Sequence, residues 1–353
     1  MTPRERVLCA FAKVPADRVP VDYQANPGVD QRLKQHFGLS PADTDGLLAA
    51  LGVDFRSIAA PYVGPRIHAE IPDRSVDPQW GIRARYVEHS TGGYWEPCDF
   101  PLRDADPEAV ARWPMPNPDH FDCSGVADAC RRHDAYAQYL LCYGDLINGN
   151  GFFRGMEQSL VDLVTDDPAG ALLADRRFAV QMATAERVLD SAGGRIDFLW
   201  LGEDLGTQDR PMVSVEVFRR HIRPRYEKLV GLARAYGART MIHTCGSSSW
   251  AYEDFIEMGI DAVDTLQPEC RDMAPASLVQ RFGGRLSFHG CMSTAGALAF
   301  GTVQDVRRAV EETLSIMMPT RAYMLAPTHE IQDNTPTENA LTLYAAAREL
   351  GRY

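Results

Sequence analysis

Nowhere in the chain do 18 apolar residues run together, which argues against a membrane-spanning helix made from one continuous hydrophobic stretch. Basic charge is also scarce: 36 Lys and Arg stand against 48 Asp and Glu, a formal net charge of −12. That balance supplies no positive field for nucleic-acid phosphates or an anionic membrane, and points to small molecules or proteins as partners. The closely repeated cysteines of a disulfide framework are missing too. The eight present (9, 98, 123, 130, 142, 245, 270 and 291) are scattered along 353 residues, so reduced thiols in a cytoplasmic setting are expected. Low-complexity tracts and long internal repeats are absent. The start, Met1–Ala12, reads as an amphipathic helix with Arg4, Glu5 and Arg6 among its apolar positions, and not as a secretory leader.

What the chain does have is apolar content, 45%, enough to fill a large core. Short apolar runs followed by loop and helical patterns recur along its whole length, the signature of strand–helix units on a parallel sheet. The strand candidates are Arg18–Asp22, Val53–Ile58, Ala137–Tyr143, Phe198–Gly202, Thr240–Thr244, Ala262–Leu266, Leu286–Gly290 and Ala322–Ala326. Eight such units predict the α/β class and a (β/α)8 TIM barrel, with residues 1–353 as a single domain.

Helical stripes are clearest late in the chain: Phe218, Ile222, Tyr226 and Leu229 form one, and Val306, Val310, Leu314 and Met317 another, opened by Thr302 as N-cap. The last helix is expected to open at Thr335-Pro336-Thr337-Glu338, with Thr335 as cap and Glu338 completing a capping box, and to stop at Gly351. After the second strand the pattern breaks into Pro-rich and aromatic sequence over 61–122, far longer than an ordinary connection. This insertion reads as a lid over the barrel mouth, or equally as a packing flap or dimer surface. Gly92-Gly93 is expected to turn a hairpin between Ala84–Val87 and Tyr94–Glu96.

A barrel carries its reactive groups at the C-terminal ends of strands. Those positions hold Gly202-Glu203-Asp204, His243-Thr244-Cys245-Gly246, Asp264 with Gln267, His289-Gly290-Cys291 and Pro327-Thr328-His329-Glu330. Side chains two apart in an extended strand share a side, so His243 and Cys245 both face the barrel axis. Imidazole and thiolate suit zinc, and a thiol substrate can fill an open coordination position. His329, Cys291, His289 and Glu203 are the further ligand candidates. The same spacing also fits an ordinary core histidine beside a small buried cysteine, and Cys291 can simply fill space behind His289. Gly246-Ser247-Ser248-Ser249 leads into a helix Trp250–Met258, where backbone N–H groups can hold an anion or Ser249 can cap. Glu203 and Asp204 are candidates for general acid or base, metal ligand or clamp, or for a salt bridge to Arg210.

Several segments resemble the uroporphyrinogen decarboxylase superfamily: Met1–Val21 with its Arg-Val-Pro-Val, Asp77-Pro-Gln-Trp-Gly-Ile, Gly202-Glu-Asp-Leu-Gly-Thr-Gln, His243-Thr-Cys-Gly-Ser, and the stretch from Ala326 through Pro-Thr-His-Glu-Ile-Gln-Asp-Asn-Thr-Pro-Thr-Glu-Asn. The resemblance spans essentially the whole chain. It implies a (β/α)8 barrel, often a homodimer, and one of two chemistries: metal-free decarboxylation of porphyrinogen acetate arms, or zinc-dependent methyl transfer between a corrinoid protein and a thiol such as coenzyme M. The substrate-binding arginines of the decarboxylases are missing from Asp22-Tyr-Gln-Ala-Asn-Pro-Gly, and their aspartate after the second strand has no counterpart in Ile58-Ala-Ala-Pro-Tyr. His243 and Cys245 match the H-x-C of the zinc methyltransferases, with His329 standing where that branch has its third ligand, a cysteine.

The expectation is therefore zinc held by His243, Cys245 and His329, with Glu203 or Cys291 as weaker candidates. Glu203, Asp204 and His289 are expected to be catalytic, and Tyr23, Gln267 and Ser247 to bind substrate. The chain lacks the D-x-H-x-x-G cobalamin motif, so a corrinoid would arrive on a partner protein. Two alternatives stand beside this: a metal-free decarboxylase or lyase acting through Glu203, Asp204, His289 and His329, and a binding protein that kept the barrel without its chemistry.

Overall fold

In a computed structural model, residues 1–89 and 92–353 are described. Seven parallel strands form a curled sheet: β1 (Phe55–Ser57), β5 (Ala137–Gly144), β6 (Phe198–Gly202), β7 (Arg239–His243), β8 (Ala262–Asp264), β9 (Ser287–Met292) and β10 (Tyr323–Pro327), in that order. The missing numbers belong to a separate antiparallel sheet of β2 (Ser75–Val76), β3 (Arg83–His89) and β4 (Gly92–Pro97). Helices cover the parallel strands, which explains why β6, β9 and β10 are buried along their full length.

The candidate strand Arg18–Asp22 is reduced to isolated bridges at Arg18 and Val21. Proline at position 20 has no N–H to give a ladder. Even so, this segment touches both edges of the sheet. Asp22 N–H donates to the Leu325 carbonyl (2.9 Å), Leu325 N–H to Pro20 (2.8 Å), and Asp54 N–H to Val21 (2.9 Å). The Asp54 carboxylate accepts from Val21 N–H and pairs with Arg6 and Arg18. The Ala262–Leu266 candidate stops at Asp264, because Thr265 and Leu266 take positive φ values of 85° and 45°.

Between β1 and β5 the chain leaves the sheet and returns through a bridge of Tyr62 to Phe121, with Asp122 N–H on the Pro61 carbonyl. Gly92 and Gly93 do not form the expected turn. They lie within β4, opposite His89 and Glu88, and the connecting residues 90 and 91 fall outside the described part. Leu102, Val110, Phe153, Ala169 and Leu173 form a small second core, against which Trp80 and Ile82 pack.

The two helical stripes are buried as expected, and Thr302 forms a capping box with Asp305. The last helix, Thr337–Leu350, ends at Gly351 but is not capped by Thr335. Thr335 N–H instead bonds the Gln332 carbonyl, and its own carbonyl accepts from Arg32. Trp250–Met258 splits into a 3-10 turn, Ser249–Ala251, and an α-helix, Tyr252–Met258. Among the described residues no helix is long and apolar enough to cross a membrane.

Candidate metal centre and its pocket

Register sets the site. Gly202 pairs with His243 across β6 and β7, and His243 with Asp264 across β7 and β8, so the residues ending three neighbouring strands meet at one height. Glu203 N–H donates to the His243 carbonyl (2.9 Å), and Cys245 N–H to Asp204 Oδ1 (3.0 Å). Gly246, at φ +75°, lets this turn close. A Cβ there would lie 2.1 Å from the Gly206 carbonyl oxygen.

Among the described residues Asp204, His243 and Cys245 each offer a ligand atom, and the three atoms lie within 4.8 Å of one another. Cys245 Sγ is 3.4 Å and Asp204 Oδ1 3.8 Å from His243 Nε2. The other ring nitrogen, Nδ1, lies 2.8 Å from Asp264 Oδ2 and 3.2 Å from Thr265 Oγ1. Asp264 thus fixes the ring with Nε2 turned toward the thiol and carboxylate, as carboxylates do behind metal-ligating histidines. One N, one S and one O donor, oriented in this way, fit zinc.

Asp264 continues inward. Its Oδ1 lies 2.6 Å from His289 Nδ1, and His289 Nε2 is 3.3 Å from Asp22 Oδ2. His289 is buried between two carboxylates, against the edges of Phe55 and Trp200. Burial alone would lower its pKa, but Asp264 and Asp22 raise it to about 9. For His243 burial again opposes the charged form, and the bonds to Asp264 and Cys245 outweigh it, lifting the imidazole well above its ordinary value. Burial would raise Asp264, yet the two imidazoles hold it far below the carboxylate range. Burial pushes the Cys245 thiol up against the pull of His243.

Two of the three ligand candidates, Asp204 and His243, open onto a pocket lined also by Gln24, Asp145, Asn148, Gly202, Glu203, His329 and Glu330, with Cys245 just behind His243. Glu203 lines it but is otherwise engaged. Its two oxygens accept the N–H groups of Leu146 and Ile147 at 2.8 Å each, at the start of the helix Ile147–Arg154. Burial and the neighbouring Asp145 raise its pKa to about 8. Burial likewise lifts Asp145 to about 6, against the pull of Arg177. Asp204 accepts from Asn148 Nδ2 (2.9 Å) and is held below its usual value by His243 and these bonds, against burial.

The remaining sequence candidates are spread around this centre. His329 is exposed at the pocket rim, its ring 6.2 Å from that of His243, and stands outside the close triad. Cys291 takes a left-handed φ of 69° and lines a different cavity, with Val306 and Ala309 of the outer helix. Tyr23 packs edge-on against Tyr344 with its hydroxyl 3.5 Å from Asp30, while its neighbour Gln24 reaches the pocket. Gln267 accepts from Gly246 N–H (2.7 Å), and Ser247 donates to the Gln208 carbonyl (2.7 Å), so both brace the loop after β7. Ser249 is no cap: it donates to the Asp272 carbonyl. Among the described residues neither Glu203 nor Asp204 pairs with Arg210.

Asp145, Asn148 and Gln24 were not among the sequence candidates, and Glu330 stood there only within the Pro327-Thr328-His329-Glu330 cluster, without a role of its own. Gly144-Asp145 at the end of β5 repeats the Gly202-Glu203 pattern at the end of β6, a signal that extending the third strand by two residues would have uncovered.

Residues 206–350 match the sequence profile of the uroporphyrinogen decarboxylase (URO-D) family. No curated protein matches the chain. Among solved structures it is similar to a methyltransferase from Methanosarcina mazei, with 17% identity, 99% of each chain covered and a TM-score of 0.64. At that identity the likeness is one of fold. Through residues 206–350, which carry His243, Cys245, Asp264 and His329, the chain is similar to the uroporphyrinogen decarboxylase superfamily.

Proposed function

We propose that the chain is a zinc-dependent methyl- or alkyltransferase, a single closed (β/α)8-barrel domain with the Arg18–Asp22 segment in the place of its first strand and the 61–122 segment as an insertion. His243, Cys245 and Asp204 would hold the zinc, with His329 across the pocket as the candidate fourth ligand. The methyl group would come from a methylcorrinoid protein docked over the open mouth, and the acceptor would be a thiol. The observation that carries this reading is the convergence of N, S and O donors from adjacent strand ends, with the imidazole fixed from behind by Asp264. The structural likeness to a methyltransferase supports it.

Bound zinc would lower the pKa of the acceptor thiol so that it is a thiolate near neutral pH. The chain's own groups then do the rest. Asp264 orients His243, Gly246 lets the Cys245 loop close, and the thiol proton would leave to solvent through the open pocket. The acceptor sulfur would take the methyl carbon with its own electron pair, and the partner's corrinoid would supply that methyl group and keep the electron pair of the bond that breaks. A homodimer, expected from the resemblance, has exposed Tyr86, Tyr94 and Trp95 on β3 and β4 as a candidate surface.

A metal-free carboxy-lyase is the second reading, drawing on Glu203 as a buried acid. It is the weaker one, because among the described residues no Arg or Lys lines the pocket to hold a substrate carboxylate. The test is thioether formation from free methylcobalamin and a thiol panel, with zinc-loaded protein. Turnover abolished by Cys245→Ser is the expected result. Carbon dioxide release from carboxylated substrates without thioether formation would favour the lyase.

A further inference from the structure

The pocket wall carries four carboxylic side chains, Asp145, Glu203, Asp204 and Glu330, and two imidazoles. Among the described residues no lysine or arginine joins them. The guanidinium of Arg177 lies behind the wall, buried, and spends its donors on Asn150 Oδ1 (3.1 Å) and the Asp145 carbonyl (3.1 Å). It neutralises part of the acidic charge from the protein side and presents nothing to a ligand. His243 is committed to Asp264 on one nitrogen and turned to Cys245 and Asp204 on the other.

An anionic group entering here would give up its water and meet the carboxylates of Asp145 and Glu330, whereas a cation would gain partners. The acids are also graded in position. Asp204 and Glu203 sit deep, one beside the thiol and the other on a helix start, while Glu330 is exposed at the rim and Asp145 accepts the N–H of Asn148. Glu330, exposed at the rim, therefore faces the outer end of a ligand, and Asp145 lies on the same wall.

Resting on the thiol-acceptor reading above, we infer that the acceptor is a short thiol bearing an ammonium group, its sulfur directed to Cys245, His243 and Asp204 and its cation toward Asp145 and Glu330. The same wall disfavours thiols that carry a sulfonate or carboxylate.

The test uses three two-carbon thiols that differ only in their far end: 2-aminoethanethiol, 2-mercaptoethanol and 2-mercaptoethanesulfonate. Each is titrated calorimetrically into zinc-loaded protein whose metal content has first been measured. The amine is expected to bind tightest and the sulfonate weakest, separated by at least about tenfold at low ionic strength, and the gap is expected to narrow in about 0.5 M salt. Glu330→Lys, on the exposed rim, should shrink or reverse the order, and Asp145→Asn should shrink it. Binding of the sulfonate as tightly as the amine by the wild type would overturn this inference and leave the thiol reading standing. Failure of all three to bind zinc-loaded protein, or failure of the protein to take up zinc, would overturn both.

Discussion

Replacing Asp264 by Asn removes one charge while keeping the shape of the side chain, and its consequences follow from two bonds. The carboxylate is buried and lies 2.8 Å from His243 Nδ1 and 2.6 Å from His289 Nδ1. An amide can accept from one of these rings but must turn its NH2 toward the other. The loss of one partner from such a buried charged arrangement costs about 3–5 kcal/mol, so the metal-free variant should unfold at markedly lower urea concentration. The pH dependence should change as well. His289 has a folded-state value of about 9 against an ordinary 6.5, so its contribution is fully present below pH 6.5 and is lost as pH rises through 9. Wild-type stability should therefore fall across that window, and the variant's should be flatter. Because Asp264 also fixes the ligand imidazole, zinc affinity measured by chelator competition should drop about 10–100-fold. A variant with unchanged urea midpoint, pH profile and zinc affinity would refute this account of the Asp22–His289–Asp264–His243 chain.

Glu203→Gln should destabilise by about 1–3 kcal/mol, since one backbone N–H at the start of the helix Ile147–Arg154 would face an amide NH2. Glu203 is raised from 4.5 to about 8 in the folded protein, so the wild type should lose stability as pH climbs between those values, a slope that pH-dependent denaturation should find diminished in the variant. Gly246→Ala places a Cβ against the Gly206 carbonyl at a positive φ, and should cost about 1–3 kcal/mol in denaturation and weaken zinc binding by displacing Cys245. Thr302→Ala removes a capping box far from the pocket. It should cost about 1 kcal/mol in denaturation with zinc affinity unchanged.

The sequence was most legible where one physical signal dominated. β6 and β7 read as strands because layers covering both faces demand unbroken apolar runs, and the two-residue spacing put His243 and Cys245 on one side. Readings that needed a distant partner were harder. Nothing in Glu203-Asp204 tells which carboxylate faces the thiol, because the choice is made by the backbone N–H groups of Leu146 and Ile147, 56 to 57 residues away, which take up Glu203. His289 looked like a group at the barrel mouth, yet Asp264 and Asp22 hold it inside the core. Thr335 carried the letters of a cap, but Arg32 and Gln332 set the chain around it differently. Gly92-Gly93 resembled a turn because glycine often makes one, while the pairing register of β3 and β4 places both in a strand.

The most direct test of the central claim is metal content by elemental mass spectrometry on tag-free protein, with Cys245→Ser, Asp204→Ala and His329→Ala prepared identically and checked for folding. The account predicts about one zinc per chain in the wild type, lost in Cys245→Ser and Asp204→Ala and retained, more weakly held, in His329→Ala. A folded wild type that neither carries zinc nor takes it up, or zinc that survives removal of Cys245, would contradict it.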